Sequence, residues 1–149
     1  MVAKTRKRLD RPEPVIGLLT TKSYRNWLID PSIKIAADIK DNEGRIITKA
    51  GNIINPLAYV TLRSTFLFYD GDNKVQVNWV KEHLRKLNNE AKKTKLVLIN
   101  GSISEQGKVF NRRIYFDQKG ILTNKLSIKH VPAILTQNGN KLKVEEVVP

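Results

Sequence analysis

Leu126-Ser127-Ile128-Lys129-His130-Val131-Pro132-Ala133 is the stretch on which the reading of this sequence turns. Its proline lacks an N–H and fixes its own φ, so Pro132 belongs at the start of a strand and not inside one. Ala133-Ile134-Leu135-Thr136 then reads as that strand. Residues 142–147 return antiparallel to it through Asn138-Gly139, the strongest short hairpin signal in the chain. Upstream, a short helix is expected over residues 122–128, and Ile114-Tyr115-Phe116 reads as a strand turned by Asp117-Gln118-Lys119-Gly120. Residues 102–111 read as a polar connection. Lys95-Leu96-Val97-Leu98-Ile99 and Phe66-Leu67-Phe68-Tyr69 are short apolar runs of buried-strand type. Between them, residues 74–90 carry Val77, Val80, Leu84 and Leu87 on one helical face, with Asp72 and Asn73 suited to the N-cap. Strand, helix, strand implies a parallel, right-handed crossover.

The N-terminal part is organised differently. Arg11-Pro12-Glu13-Pro14 prevents helix and reads as an extended lead-in, and the segment from Val15 to Trp27 is left irregular. After Asp30-Pro31, Ile33, Ile35 and Ala37 alternate with polar and small residues as in a half-buried strand. Residues 40–44 are turn chemistry, and a second strand is expected around Ile46 and Ile47. Asn55-Pro56 suits a cap followed by proline at the first helical position. The expected partition is a basic extended segment over residues 1–29, a β-hairpin module over 30–62 and an α/β domain over 63–149. A lone hairpin is marginal in water, so the module must pack on the rest.

At 149 residues the chain buries about 68–70% of its unfolded surface and needs no disulfide or metal to fold. Cysteine is absent, which excludes disulfides, thiolate nucleophiles, zinc–thiolate sites and iron–sulfur clusters. The net charge of +13 invites a nucleic-acid partner through counterion release. The basic excess is spread along the chain, however, without interleaved aromatic and basic residues for stacking bases, so nucleic acid is the lesser reading. No apolar stretch approaches the ~20 residues that span a bilayer. The basic cluster Lys4, Arg6, Lys7 and Arg8 has no apolar run of a secretory signal behind it.

Candidate chemistry is sparse. Asp70, Asp72 and Asn73 resemble the start of a calcium loop, but Lys74, Val75 and Lys81 stand where an EF-hand needs an oxygen ligand, glycine and glutamate. Glu145 and Glu146 are adjacent, so on a strand they face opposite sides. His83 and His130 are too few for a multi-histidine metal centre. There is no glycine-rich phosphate loop and no G-x-S-x-G elbow. No metal, cofactor or catalytic constellation is expected.

The order of elements from Phe66 onward is that of a thioredoxin core, and the stretch quoted first resembles the loop around the thioredoxin cis-proline. The resemblance implies a cis Val131–Pro132 bond. It also implies a vestigial redox site at Asp70-Gly71-Asp72-Asn73, without sulfur and therefore without oxidoreductase activity. A second resemblance covers most of the chain. It is carried by Asp30-Pro31-Ser32, residues 41–44, Ala50-Gly51, Asn55-Pro56-Leu57, Asp70-Gly71-Asp72, Gln76 and Trp79. Tyr115-Phe116-Asp117-Gln118, Gly120, Leu122-Thr123, Val131-Pro132-Ala133 and Gln137 continue the series. In this order and spacing they resemble the TraW family of F-type conjugative transfer systems, and the last part also resembles the related TrbC family. The resemblance implies a non-catalytic, periplasmic component of a type IV secretion apparatus. It implies a requirement in conjugative pilus assembly and TrbC-like and TraU-like partners. It also implies a signal peptide ahead of the Arg-Pro-x-Pro stretch, so the chain reads as N-terminally shortened; a true start at Met1 would leave it cytoplasmic. By the thioredoxin resemblance, Asp70, Asp72, Asn73, His130, Val131 and Pro132 line a groove for an extended partner segment, with Asp70 or Asp72 either meeting a basic residue or only capping the helix over residues 74–90.

Overall fold

The computed structural model describes residues 9–58 and 60–149, so the basic cluster Lys4, Arg6, Lys7 and Arg8 lies outside the described residues. In chain order the strands are β1 (Leu19–Thr20), β2 (Arg25–Ile29), β3 (Ile33–Lys34), β4 (Ile39–Lys40), β5 (Ile46–Thr48) and β6 (Ile53–Ile54). They continue as β7 (Thr65–Asp70), β8 (Thr94–Asn100), β9 (Ile114–Phe116), β10 (His130–Val131), β11 (Ala133–Asn138) and β12 (Lys141–Glu146). The helices are α1 (Lys74–Leu87), α2 (Ile103–Phe110) and α3 (Ile121–Lys125).

One six-stranded sheet dominates, in the order β2-β12-β11-β7-β8-β9. β7, β8 and β9 are parallel, while β11 runs antiparallel to both β7 and β12. The apolar runs are continuous because both faces of the sheet are covered. Leu67 and Tyr69 pack with Val80, Leu96, Leu98, Ile114 and Ile134 beneath α1 and α2. Phe68 on the other face packs with Val97, Ile99, Leu126, Ile128, Val131 and Val144. The Val131–Pro132 bond is cis, as expected from the loop's resemblance.

Several readings need correction. Residues 102–111 are not a plain connection, because Ile103–Phe110 is helical and Ser102 Oγ caps it by accepting from Glu105 N at 3.1 Å. The segment left irregular contributes two strands. β2 pairs antiparallel with β12 from Arg25 opposite Glu146 to Ile29 opposite Leu142, because Trp27 and Ile29 turn their side chains onto the core. The α1 helix stops at Leu87, where Asn88 adopts φ +52, and a 3-10 segment Asn88–Lys93 follows. The hairpin loop between β11 and β12 is Gly139-Asn140, one residue later than the Asn-Gly signal, with Asn138 paired to Lys141.

The hairpin module consists of two nested ladders, β4 with β5 and β3 with β6. The expected single strand through Ile33, Ile35 and Ala37 is broken, because Ile35 turns inward and exchanges hydrogen bonds with Gly51 and Asn52. Asp41 organises the turn by accepting from Glu43 N and Arg45 N at 2.9 Å each. The module is tied to the sheet by Asn55 Nδ2 donating to Asn140 O (2.7 Å). Leu62 N adds a bond to Gln137 Oε1 (2.6 Å).

Candidate functional site

Three parallel strands end on one side of the sheet, and each hands its chain to a capped turn. At the end of β7, Asp70 Oδ1 accepts from Asp72 N and from Asn100 Nδ2, both at 2.9 Å. Asn73 is the residue that caps α1. Its Oδ1 accepts from Val75 N at 3.0 Å and Gln76 N at 3.2 Å. Asp70 and Asp72 therefore shape the turn that presents the cap. At the end of β8, Gly101 lies against Gly71 so closely that a β-carbon on it would stand 3.0 Å from Gly71 Cα. After β9, the buried Asp117 accepts from Leu122 N, Thr123 N and Thr123 Oγ1 at 2.8 to 3.0 Å, which starts α3.

The β10 loop is held from behind by Glu146, which is fully buried. Its carboxylate accepts from Lys129 N at 2.8 Å and His130 N at 2.9 Å, and lies 3.1 Å from His130 Nδ1. Arg25 approaches it at 3.8 Å. With these N–H groups engaged, the carbonyls of Lys129 and Val131 point the other way. They accept from Leu19 N at 3.1 Å and Thr21 N at 2.9 Å, making β1 parallel to β10.

Five of the six predicted site residues therefore meet through an intermediary, while Asp70 bonds only within its own turn and to Gln76 and Asn100. Thr20 pairs with Val131, and its hydroxyl accepts from Asn73 Nδ2 (3.4 Å) and Gln76 Nε2 (3.2 Å). Asp72 likewise meets the chain's own Arg11 at 2.6 Å, and Asp10 accepts from Ser102 Oγ (2.7 Å) and Ser104 N (2.8 Å). Hydrogen bonds from Ser104 and Ser102 hold the Asp10 carboxyl below the usual carboxylate range, and the bond to Asp72 raises the Arg11 guanidinium. Residues 10–21 thus form a strap across the ends of β7 and β8 and along β10. Sequence reasoning missed Asp10, Arg11, Thr20, Thr21 and Glu146. Only the extended character of residues 11–14 was readable, since nothing local says where an extended segment docks.

Chemically, the arrangement offers backbone and amide hydrogen bonds. The carboxylates of Asp70 and Asp72 are directed at amide and guanidinium donors. Among the described residues no group of three or more His, Asp or Glu is placed to hold a metal ion. Burial pushes the His83 imidazole down, and the ring stacks on Trp79 with centroids 4.9 Å apart. Burial also pushes up the Tyr69 phenol, whose hydroxyl lies 3.1 Å from Gln106 Oε1. No described helix is long and apolar enough to cross a membrane.

Fold and site together define a mixed α/β protein that carries a strap of its own chain over the ends of its central parallel strands. It is 39% identical over 140 residues to Protein TraW of Escherichia coli (strain K12). The alignment covers 93% of this chain and 65% of that protein, so the chain spans about two thirds of that relative's length. The chain belongs to the TraW family. No family model and no solved structure matches it.

Proposed function

We propose that this chain is a non-catalytic assembly component of a conjugative type IV secretion apparatus, acting in the periplasm in conjugative pilus assembly with TrbC-like and TraU-like partners. The observation that carries the reading is the 39% identity across 93% of the chain to a TraW protein. The fold proposed for residues 63–149 is thioredoxin-like without redox cysteines, preceded by the hairpin module. The parallel β7–β8 pair, the antiparallel β11–β12 hairpin and the cis Val131–Pro132 loop support it. Asp70, Asp72, Asn73, His130, Val131 and Pro132 are proposed as the partner-docking surface, supported by the attachment of all but Asp70 to one extended segment.

Calorimetric titration of the full chain with a TrbC-like and a TraU-like protein of the same transfer system tests this. Saturable binding to at least one of them is expected. Binding to neither, by folded protein, contradicts the reading. The second reading, nucleic-acid binding, rests on the +13 net charge. It would be favoured by strong DNA binding whose affinity falls steeply with salt.

A further inference from the structure

The strap makes the contacts that a peptide from another molecule would make. Alternate N–H groups, those of Leu19 and Thr21, pair with the carbonyl edge of β10 in the manner of strand addition. Thr21 Oγ1 adds a longer contact to Pro132 O at 3.3 Å. Thr20 Oγ1 takes up two side-chain amide donors, one from the Asn73 cap and one from Gln76 in the first turn of α1. Arg11 reaches the Asp72 carboxylate, and Val15 fixes the middle by donating to Ile99 O at 2.8 Å and resting on Gly120.

The strap is joined to the body at a few points only. β1 has two residues and forms a sheet of its own with β10, separate from the six-stranded sheet. The next segment, β2, is held independently by its pairing with β12. Between the anchors the strap spans a cleft of about 790 Å³ lined by residues 11–18 on one side and Gln118, Lys119, Asn124 and Lys129 on the other. Ile16 is 95% exposed and Leu19 66% exposed, so the strap's apolar hold on the core comes from the partly buried Val15 and Leu18. The Arg11–Asp72 pair is open to water and correspondingly weak.

We infer that residues 10–21 are an internal ligand of a peptide groove. A partner protein occupies that groove by exchanging an extended segment for the strap. The strap prescribes the chemistry of the incoming segment: a basic side chain for Asp72, then, at the spacing from Arg11 to Leu19 and Thr21, two free N–H groups flanking a hydroxyl residue. The inference rests on the proposed docking surface and names its ligand and its competitor.

The test uses the full chain and a fluorescent synthetic peptide of residues 10–21. The variant Arg11→Ala/Leu19→Pro removes one exposed ion pair and one strap N–H. It should bind the peptide at least tenfold more tightly than the unmodified chain, because its own strap competes less. N-methylation of the peptide at Leu19 and Thr21 should abolish that binding. In the unmodified chain, the Leu19 and Thr21 amides should exchange with solvent at least a hundredfold faster than those of β7. Equal peptide binding by both proteins overturns the inference, as does binding indifferent to N-methylation. Leu19 and Thr21 amides that exchange only through global unfolding overturn it too, since the strap is then a fixed wall. A concentration-dependent dimer of the unmodified chain that shields the same amides would assign the groove to a second copy and overturn the partner assignment. None of these readouts needs a conjugation protein, so their failure is distinct from failure of the assembly reading.

Discussion

Asp10 shows how a single half-buried carboxylate positions the strap. Its oxygens accept from Ser102 Oγ and Ser104 N at the start of α2, and those bonds lower its proton affinity in the folded chain. The contribution is therefore complete above the ordinary carboxylate value of about 4 and is lost as pH falls through the lower folded value. The Ser104 amide resonance should titrate with a midpoint below 4 in the unmodified chain and show no such step in Asp10→Ala; a midpoint at or above the ordinary value contradicts the bond. Gly101 is constrained in another way. It sits at φ +121, and a β-carbon there meets the Gly71 backbone at 3.0 Å. Gly101→Ala should cost about 1–3 kcal/mol in chemical denaturation. Some of this was legible residue by residue. Asn73 as cap follows from its place ahead of an amphipathic run. Arg11 and Thr20 were not legible, because their partners lie far away in sequence and an extended segment carries no periodicity of its own.

Among the elements, the β10 loop depends most on one buried group. Glu146 accepts from two consecutive backbone N–H groups and is wholly removed from water. Truncating it leaves both donors unsatisfied, so Glu146→Ala should cost about 2–5 kcal/mol in urea denaturation. It should also release Leu19 and Thr21 amides to faster exchange, because the loop that offers their acceptors loses its support. An unchanged midpoint would show that water replaces the carboxylate without loss. The parallel β7–β8 pair and the β11–β12 hairpin were legible because their apolar runs are short, bounded by turn residues and joined by periodic or turn-forming sequence. The α2 helix was missed although Ser102-Ile103-Ser104-Glu105 is a capping-box pattern. Its polar composition and the internal Gly107 masked a stripe of Ile103, Gln106 and Phe110 that gains its stability from Tyr69 and β9 beneath it. β2 was missed for a related reason, since an edge strand with exposed Arg25, Asn26 and Leu28 shows little more than Trp27 and Ile29 to the core.

At the scale of the molecule, the chain is a sheet whose two faces are packed and whose strand ends are covered by its own N-terminal segment. The proposed assembly role places the work of this surface in what it binds. Under that proposal the high positive charge acts on encounter rates and solubility. The most direct test replaces the matching 140-residue region of the Escherichia coli TraW protein with that of this chain. The hybrid is then expressed in a donor lacking its own TraW, and DNA transfer is measured in mating. The account predicts transfer at least tenfold above the deletion strain, together with visible pili. A hybrid that is folded, stable and exported, yet leaves transfer at the level of the deletion, would contradict it.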